Sequence, residues 1–208
     1  DVQSWRLADI QIEKALLLDV KKPLYLETCL NSETRTIELR SFDDRDPSQV
    51  HRHANSRGYP LRGHQTHQVD LAALLQQFEP PRQAPHVYQD FAELAMQYQS
   101  AFQAITEVRL NTDRRKALAR LQLPASLGKA VGDYIAHPSL LDGCFQTVLN
   151  LLEPSDGAFL PTRIADLRIY RPLTPQLWCL GELTHRSKAS VVCDLTLIGT
   201  DGRVVARV

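Results

Sequence analysis

The sequence lacks three features that mark common classes of protein. Its 24 basic and 24 acidic residues cancel, and no basic block stands out, which argues against nucleic acid or an anionic membrane as the main partner. No apolar run is long enough to span a bilayer, and no signal peptide opens the sequence. We therefore expect a cytoplasmic protein that binds neither nucleic acid nor membrane.

Cysteine is also scarce, with four residues in 208 and no C-x-x-C spacing. Cys144 falls in an apolar helical pattern, and Cys179 and Cys193 fall in apparent strands. Free cysteine behaves as a small buried apolar residue, so reduced, buried thiols are expected. The sequence opens on aspartate and ends within an apparent strand, which predicts a piece of a longer protein.

Histidine is the residue type whose clustering could indicate a metal ion. Four of the seven histidines lie within seventeen residues of one another, at His51, His53, His64 and His67. No cysteine or carboxylate cluster accompanies them, and the surrounding segment is polar and rich in turn residues. No metal site is predicted, because a loose histidine cluster is a weak motif.

The pattern is organised around an apolar helix over residues 138–152. Pro138 suits the first helical position, where its missing N–H has no partner, and Pro154 ends the run. Asp142 and Gln146 are four residues apart and share one face of this helix. A carboxyl group aimed into an apolar interior has a raised pKa and can act as a general acid, with Gln146 orienting it. The alternative is a polar stripe that faces water.

The run His137-Pro138-Ser139-Leu140-Leu141-Asp142, followed by Gln146, resembles the second catalytic motif of dehydratase domains in modular polyketide synthases. In that family the motif reads roughly H-P-x-L-L-D-x-x-x-Q/H, and its aspartate is the catalytic acid. The resemblance implies catalytic roles for Asp142 and Gln146. It also places His137, Pro138 and Leu141 along the substrate channel.

A second segment resembles the same family. Helical periodicity runs from Tyr88 to Ala104 and crosses the place where the family reads G-x-x-Y-G-P-x-F-Q. Tyr98, Phe102 and Gln103 match that pattern, and the resemblance puts Tyr98 and Phe102 in the substrate channel, with core packing as the alternative. Three residues replace the family's glycines and proline, namely Ala95, Gln99 and Ser100. Since glycine permits a tight turn there, we expect an altered turn or altered activity.

The rest of the chain has the pattern of antiparallel strands joined by short turns. Before the apolar helix, a strand leading into a bend is predicted over 5–20, and further strands at 23–30, 34–42, 49–58, 105–110 and 116–123, with a short helix at 69–78. After it, strands are predicted at 159–164, 167–172, 177–183, 190–198 and 204–208. The predicted fold class is α+β, with antiparallel sheets wrapped around a central helix.

Polyketide synthase dehydratases have this arrangement as two hot-dog units in tandem, and the resemblance implies the same double hot-dog fold. Residues 1–59 would be the remainder of the N-terminal hot-dog, 60–87 a linker, and 88–208 the C-terminal hot-dog. The first hot-dog is expected to be incomplete, because the family's catalytic histidine motif, H-x-x-x-G-x-x-x-x-P, is missing. None of the seven histidines has glycine four residues later.

The activity implied by the resemblance is removal of water from a 3-hydroxyacyl thioester on an acyl carrier protein, giving an enoyl thioester. The missing histidine would take the α-proton, and Asp142 would protonate the departing hydroxyl. No cofactor is expected to bind directly, because the phosphopantetheine arm of the carrier protein delivers the substrate. The expected partners are that carrier protein, neighbouring synthase domains and a second copy of the chain.

Two alternatives stay open. The missing histidine and the three replaced residues would also suit a catalytically inactive dehydratase-like domain with a structural or dimerisation role in a polyketide synthase. The same scaffold could also carry a related double-bond isomerase or a cyclase.

Overall fold

The computed structural model describes residues 4–19, 24–43, 46–61, 67–153, 159–187 and 189–208. Contacts divide the chain into two compact units. The larger unit takes in His64–Phe159 and Ile169–Arg207, and the smaller unit takes in Gln3–Gly63 and Leu160–Arg168. No helix among the described residues has the length and apolar character needed to cross a membrane.

The described strands and helices follow one another in chain order. They are β1 (Ser4–Ile12), β2 (Leu24–Asn31), β3 (Thr36–Asp43), β4 (Asp46–Leu61), α1 (Leu71–Leu75), β5 (Arg82–Gln83), α2 (Ala84–Glu93), β6 (Ile105–Leu110), β7 (Lys116–Gln122), α3 (Pro138–Leu149), β8 (Arg163–Ile169), β9 (Gln176–Arg186), β10 (Val191–Gly199) and β11 (Val204–Arg207). Two 3-10 helices lie at Ser100–Phe102 and Ala125–Asp133.

The smaller unit is a sheet with the strand order β2-β3-β4-β1-β8. The pairs β2–β3, β3–β4 and β1–β4 are antiparallel, as the alternating sequence predicts. Two ion pairs link β8 to β1, with Arg6 Nε 2.8 Å from Asp166 Oδ1 and Arg163 Nη2 2.8 Å from Asp9 Oδ1. Both pairs are partly exposed, so water screens them and they add little to stability.

The larger unit is a sheet around one helix. Its strand order is β11-β10-β9-β7-β6-β5, and α3 packs against β7, β9, β6 and β10. The helix packs tightly at Gly143, where an added Cβ would lie 3.1 Å from Ala104 Cβ and 3.3 Å from Leu121 Cδ2. Removal of leucine and isoleucine side chains from water at this contact is the main stabilising term. Those completely buried include Ile105, Leu118, Leu121, Leu140, Leu177 and Leu197.

Helix α3 forms where the sequence predicts it and ends three residues early. His137 caps its start, because its Nδ1 accepts a hydrogen bond from the Ser139 N–H at 3.2 Å, and Pro138 follows in the first turn. At the other end Asn150 Nδ2 donates to the Gln146 carbonyl at 3.1 Å. Asparagine side chains compete with the backbone for such carbonyls, which stops the helix before residue 152.

The helix predicted from Tyr88 to Ala104 is wrong in its second half. Helix α2 ends at Glu93, and Ala95 adopts a left-handed backbone with φ of 61°. The Met96 N–H donates to the Phe91 carbonyl at 2.9 Å, and the Ala95 N–H donates to the Ala92 carbonyl at 3.0 Å. These two bonds form the helix-ending turn that usually has glycine at the left-handed position. The chain therefore makes the turn with alanine.

Three smaller expectations also change. The two strands predicted at 159–164 and 167–172 are the single strand β8, because Pro161 and Pro172 lack the N–H that a ladder needs. The helix predicted at 69–78 shortens to α1, which Asp70 caps through the Ala72 and Ala73 N–H groups. Strand β5 was not predicted and lies, like α1, within the segment 60–87. The strand predicted within 5–20 ends at Ile12, and the other predicted strands are observed.

Replacing Ala95 with glycine should stabilise the chain by about 1 kcal/mol, because a left-handed backbone costs about 1–2 kcal/mol for a residue with a Cβ. Urea unfolding followed by circular dichroism measures the change. The matched control is Ala92→Gly within α2, which should lower the free energy of unfolding by up to about 1 kcal/mol. Destabilisation by both substitutions would contradict the left-handed turn at residue 95.

Candidate active site

The candidate site lies on α3, where Asp142 and Gln146 occupy successive turns. Gln146 is buried, with 1% of its surface exposed, and Asp142 is half-buried. Gln146 Nε2 donates a hydrogen bond to Asp142 Oδ2 at 2.6 Å. This face of the helix is therefore not the solvated polar stripe that the sequence also allowed.

The Gln146 amide has a hydrogen-bond partner at each end. Its Nε2 also donates to the Phe102 carbonyl at 2.9 Å, and its Oε1 accepts from the Tyr88 hydroxyl at 3.1 Å. The Tyr88 oxygen in turn accepts the Ile105 N–H at 2.9 Å. Three segments thus meet at one buried amide: α2, the 3-10 turn before β6, and α3.

Burial sets the protonation of this site. It raises the pKa of Asp142 above the ordinary aspartate value, while the hydrogen bond from Gln146 lowers that pKa and so opposes the shift. Burial also raises the pKa of Tyr88 and of Tyr98, and the Asp142 charge adds to both shifts. Both phenols therefore stay neutral at physiological pH, and the Asp142 carboxyl holds its proton more tightly than an exposed aspartate does.

An aromatic cluster packs beside the Gln146 amide. The Tyr98 ring meets Tyr88 and Phe91 edge to face, with centroids 6.1 and 5.7 Å apart. Gln103 Nε2 donates to the Tyr98 carbonyl at 2.9 Å and so helps to hold the segment that carries Tyr98 and Phe102. The Phe102 side chain is 42% exposed, so the residue joins the site through its carbonyl.

The start of α3 carries the other three residues that the resemblance placed in a channel. His137 is buried as the helix cap, and the Tyr134 ring lies edge to face against it with centroids 4.9 Å apart. Pro138 is exposed and Leu141 is half-buried. The structure gives His137 and Pro138 a role in starting the helix, and the role of all three residues in a channel stays a prediction.

Sequence reasoning missed two members of the site. The sequence pattern places Tyr88 on an apolar helix face and gives it no other role. No spacing in the sequence links Tyr88 to Gln146, which lies 58 positions away. Asn150, which donates to the Gln146 carbonyl, could have been found, because it continues the four-residue spacing of Asp142 and Gln146 along α3.

The histidines follow no metal-site geometry in the described part of the chain. His53 is buried in the smaller unit, 2.7 Å from the Ser41 hydroxyl through Nε2 and 3.1 Å from the Lys14 carbonyl through Nδ1. His64 lies outside the described residues. Among the residues that are described, no three histidine, cysteine, aspartate or glutamate side chains cluster as metal ligands do.

Comparison with known proteins finds relatives among polyketide synthases. The family model for the polyketide synthase dehydratase N-terminal domain matches residues 66–208. Polyketide synthase PksN of Bacillus subtilis is 31% identical over 125 residues, which are 58% of this chain and 2% of PksN. A mycocerosic acid synthase-like polyketide synthase of Mycolicibacterium smegmatis is 29% identical over 119 residues, which are 55% of this chain and 6% of that protein. The chain thus spans a small part of the length of these relatives.

Solved dehydratase domains share the fold. A trans-AT polyketide synthase dehydratase domain from Brevibacillus brevis gives a TM-score of 0.89 at 21% identity, over 98% of this chain and 73% of that one. The dehydratase domain from the CurF module of curacin polyketide synthase gives 0.82 at 21% identity, over 99% and 73%. The predicted α+β hot-dog fold is confirmed.

The Asp142→Asn variant should be more stable than the native chain at pH 7. The folded chain keeps the Asp142 proton to a higher pH than the unfolded chain, where the ordinary value is 3.8, so the free energy of unfolding falls as the pH rises through this window. Asparagine does not ionise, so the variant keeps its free energy of unfolding over this pH range. Urea unfolding at several pH values measures the difference, which should shrink as the pH falls toward 4. A difference that does not change with pH would contradict the raised pKa.

Proposed function

The chain belongs to the polyketide synthase dehydratase family, and from this premise we propose that it is part of a domain that removes water from a 3-hydroxyacyl thioester. The observation that supports this most is the Asp142 carboxyl, which is half-buried, has a raised pKa and is hydrogen-bonded at one oxygen by Gln146. A protonated carboxyl held in this way has the properties of a general acid.

In the proposed reaction a base removes the proton on the α-carbon. The electron pair of the broken C–H bond forms the double bond to the β-carbon. The C–O bond to the β-hydroxyl breaks, and Asp142 gives that oxygen the proton with which it leaves as water. The carboxylate that remains is stabilised by the N–H of Gln146, which already points at Oδ2. The base then holds the α-proton and Asp142 is ionised, and the starting state returns when the base loses that proton and Asp142 gains one.

The proposed substrate is carried on the phosphopantetheine arm of an acyl carrier protein, with no cofactor bound by this chain. Its channel would run past Asp142 between two groups of residues: Tyr98 and Phe102 on one side, and His137, Pro138 and Leu141 at the start of α3. The proposed partners are the carrier protein, neighbouring polyketide synthase domains and a second copy of the chain. The proposed domains remain 1–59, 60–87 and 88–208.

In an active domain we expect the base to come from residues other than those of this sequence, because no histidine here has the spacing of the family motif. An inactive, structural dehydratase-like domain is the second candidate, favoured by that same missing motif. The left-handed turn at Ala95 weighs against loss of function. Alanine adopts here the backbone geometry that glycine usually adopts at the end of a helix.

The sequence of the parent protein separates the two candidates. An H-x-x-x-G-x-x-x-x-P motif elsewhere in the same domain would support the active dehydratase. A parent domain with no such motif, and with an unchanged product oxidation state when the domain is deleted, would support the structural role instead.

Asp142→Asn in the complete parent domain should lower the rate of dehydration by about 10²–10⁴-fold, the usual contribution of a positioned general acid. Mass spectrometry of a 3-hydroxyacyl carrier protein, which loses one water on conversion, measures the rate. The matched control is Asp194→Asn, an exposed carboxylate on β10 that should leave turnover unchanged. Full turnover in Asp142→Asn would rule out the acid role.

A further inference from the structure

We propose that Tyr88 is a positioning residue for the Asp142–Gln146 pair. Its hydroxyl, together with the Phe102 carbonyl, fixes which way round the Gln146 amide lies, and so which oxygen of the Asp142 carboxyl carries the proton. The catalytic consequence rests on the proposed dehydration, whereas the hydrogen-bond arrangement does not.

The direction of this hydrogen-bond chain is set by the backbone. An N–H group can only donate, so the Ile105 N–H occupies the Tyr88 oxygen as a donor at 2.9 Å. The single hydrogen of the Tyr88 hydroxyl is then available for Gln146 Oε1, 3.1 Å away. Ile105 is 1% exposed, so water does not compete for this amide.

A second backbone group orients the other end of the Gln146 amide. The Phe102 carbonyl can only accept, and it lies 2.9 Å from Gln146 Nε2. Reversing the amide would set Oε1 against the Phe102 oxygen, with the loss of that bond, and would leave the Tyr88 hydroxyl hydrogen without the acceptor that Oε1 provides. Tyr88 and Phe102 together therefore keep an N–H of Gln146 directed at Asp142.

The orientation of the amide distinguishes the two carboxyl oxygens of Asp142. Oδ2 accepts the Gln146 N–H at 2.6 Å, and Oδ1 has no hydrogen-bond partner among the residues that the structure describes. The proton of the neutral acid accordingly belongs on Oδ1, which is the oxygen left to face a departing hydroxyl. If the amide were reversed, its Oε1 would instead accept that proton and hold it away from the substrate.

Neighbouring charges do not provide this control. Asp142 raises the pKa of three groups near it, Tyr88, Tyr98 and Cys144, all of which are neutral near pH 7. Several charged groups on the strands packed against α3 interact with groups other than Asp142. Glu107 pairs with Arg109, Lys116 pairs with Glu182, and Arg120 lies over the Trp178 ring. Burial and the Gln146 hydrogen bond are the two causes that set the pKa of Asp142.

The first test is a titration of the chain by NMR, following the Asp142 carboxyl carbon, in Tyr88→Phe. This substitution keeps the ring against Phe91 and Tyr98 and removes only the hydroxyl. The hydrogen bond from the Gln146 N–H favours the ionised carboxylate of Asp142. Loss of the Tyr88 hydroxyl should weaken this hydrogen bond and so raise the pKa of Asp142 by about half to one unit, the equivalent of one hydrogen bond.

The matched control is Thr147→Val, which also removes a buried hydroxyl from this region. Thr147 follows Gln146 on α3 and donates to the Gly143 carbonyl at 3.0 Å, with no bond to the Gln146 side chain. It should lower stability and leave the pKa of Asp142 unchanged. An equal pKa shift in Thr147→Val would mean that loosening of the helix, rather than Tyr88, moves the carboxyl, and would overturn the proposal.

A double-mutant cycle tests whether Tyr88 acts through Gln146. Gln146→Met removes the amide and should raise the pKa of Asp142 by at least as much as Tyr88→Phe. Adding Tyr88→Phe to Gln146→Met should then change nothing further. An undiminished extra shift in the double variant, or no shift in Tyr88→Phe alone, would overturn the proposal.

Kinetics of the complete parent domain test the catalytic consequence. Tyr88→Phe should lower kcat about tenfold with little change in KM, and should move the basic limb of the pH–rate profile upward by the shift seen in NMR. A lower kcat with no movement of that limb would contradict positioning. If the native parent domain has no dehydratase activity, the proposed function fails, while the NMR cycle still decides the role of Tyr88.

Discussion

The need to satisfy one buried primary amide organises the larger unit. Leaving a buried polar group unpaired costs about 1–3 kcal/mol, so the Gln146 side chain requires partners for its oxygen and its nitrogen. Those partners come from three separate segments: the Tyr88 hydroxyl, the Phe102 carbonyl and the Asp142 carboxyl. The same bonds that stabilise the fold therefore place the acid, and a variant that disturbs one should disturb both.

Close packing sets the depth at which this network lies. With glycine at 143, α3 approaches Ala104 and Leu121 to a distance at which an added methyl group would be crowded. Gln146, one turn further along, is thereby brought within reach of the Phe102 carbonyl, just before β6. The left-handed turn at Ala95 lets the chain leave α2 and return past the helix as the segment that bears Tyr98 and Phe102.

Much of the arrangement could be predicted from the sequence, and the failures have physical causes. Local patterns predict α3 and the β6–β7 hairpin, because proline, turn residues and apolar periodicity act over a few neighbouring residues. The end of α2 was wrong because alanine at residue 95 favours a helix and gives no sign of a left-handed turn. Tyr88 was missed because its partners, Ile105 and Gln146, lie far along the chain.

The sequence by itself determined the family, the fold class and the spacing of Asp142 and Gln146 on one helical face, since four residues of an α-helix bring two side chains together wherever the helix lies. Tertiary structure alone decided the environment of that pair. Contacts between distant segments bury Asp142, orient the Gln146 amide and bring Tyr88 to it. The pKa of Asp142 depends on these surroundings rather than on its neighbours in sequence.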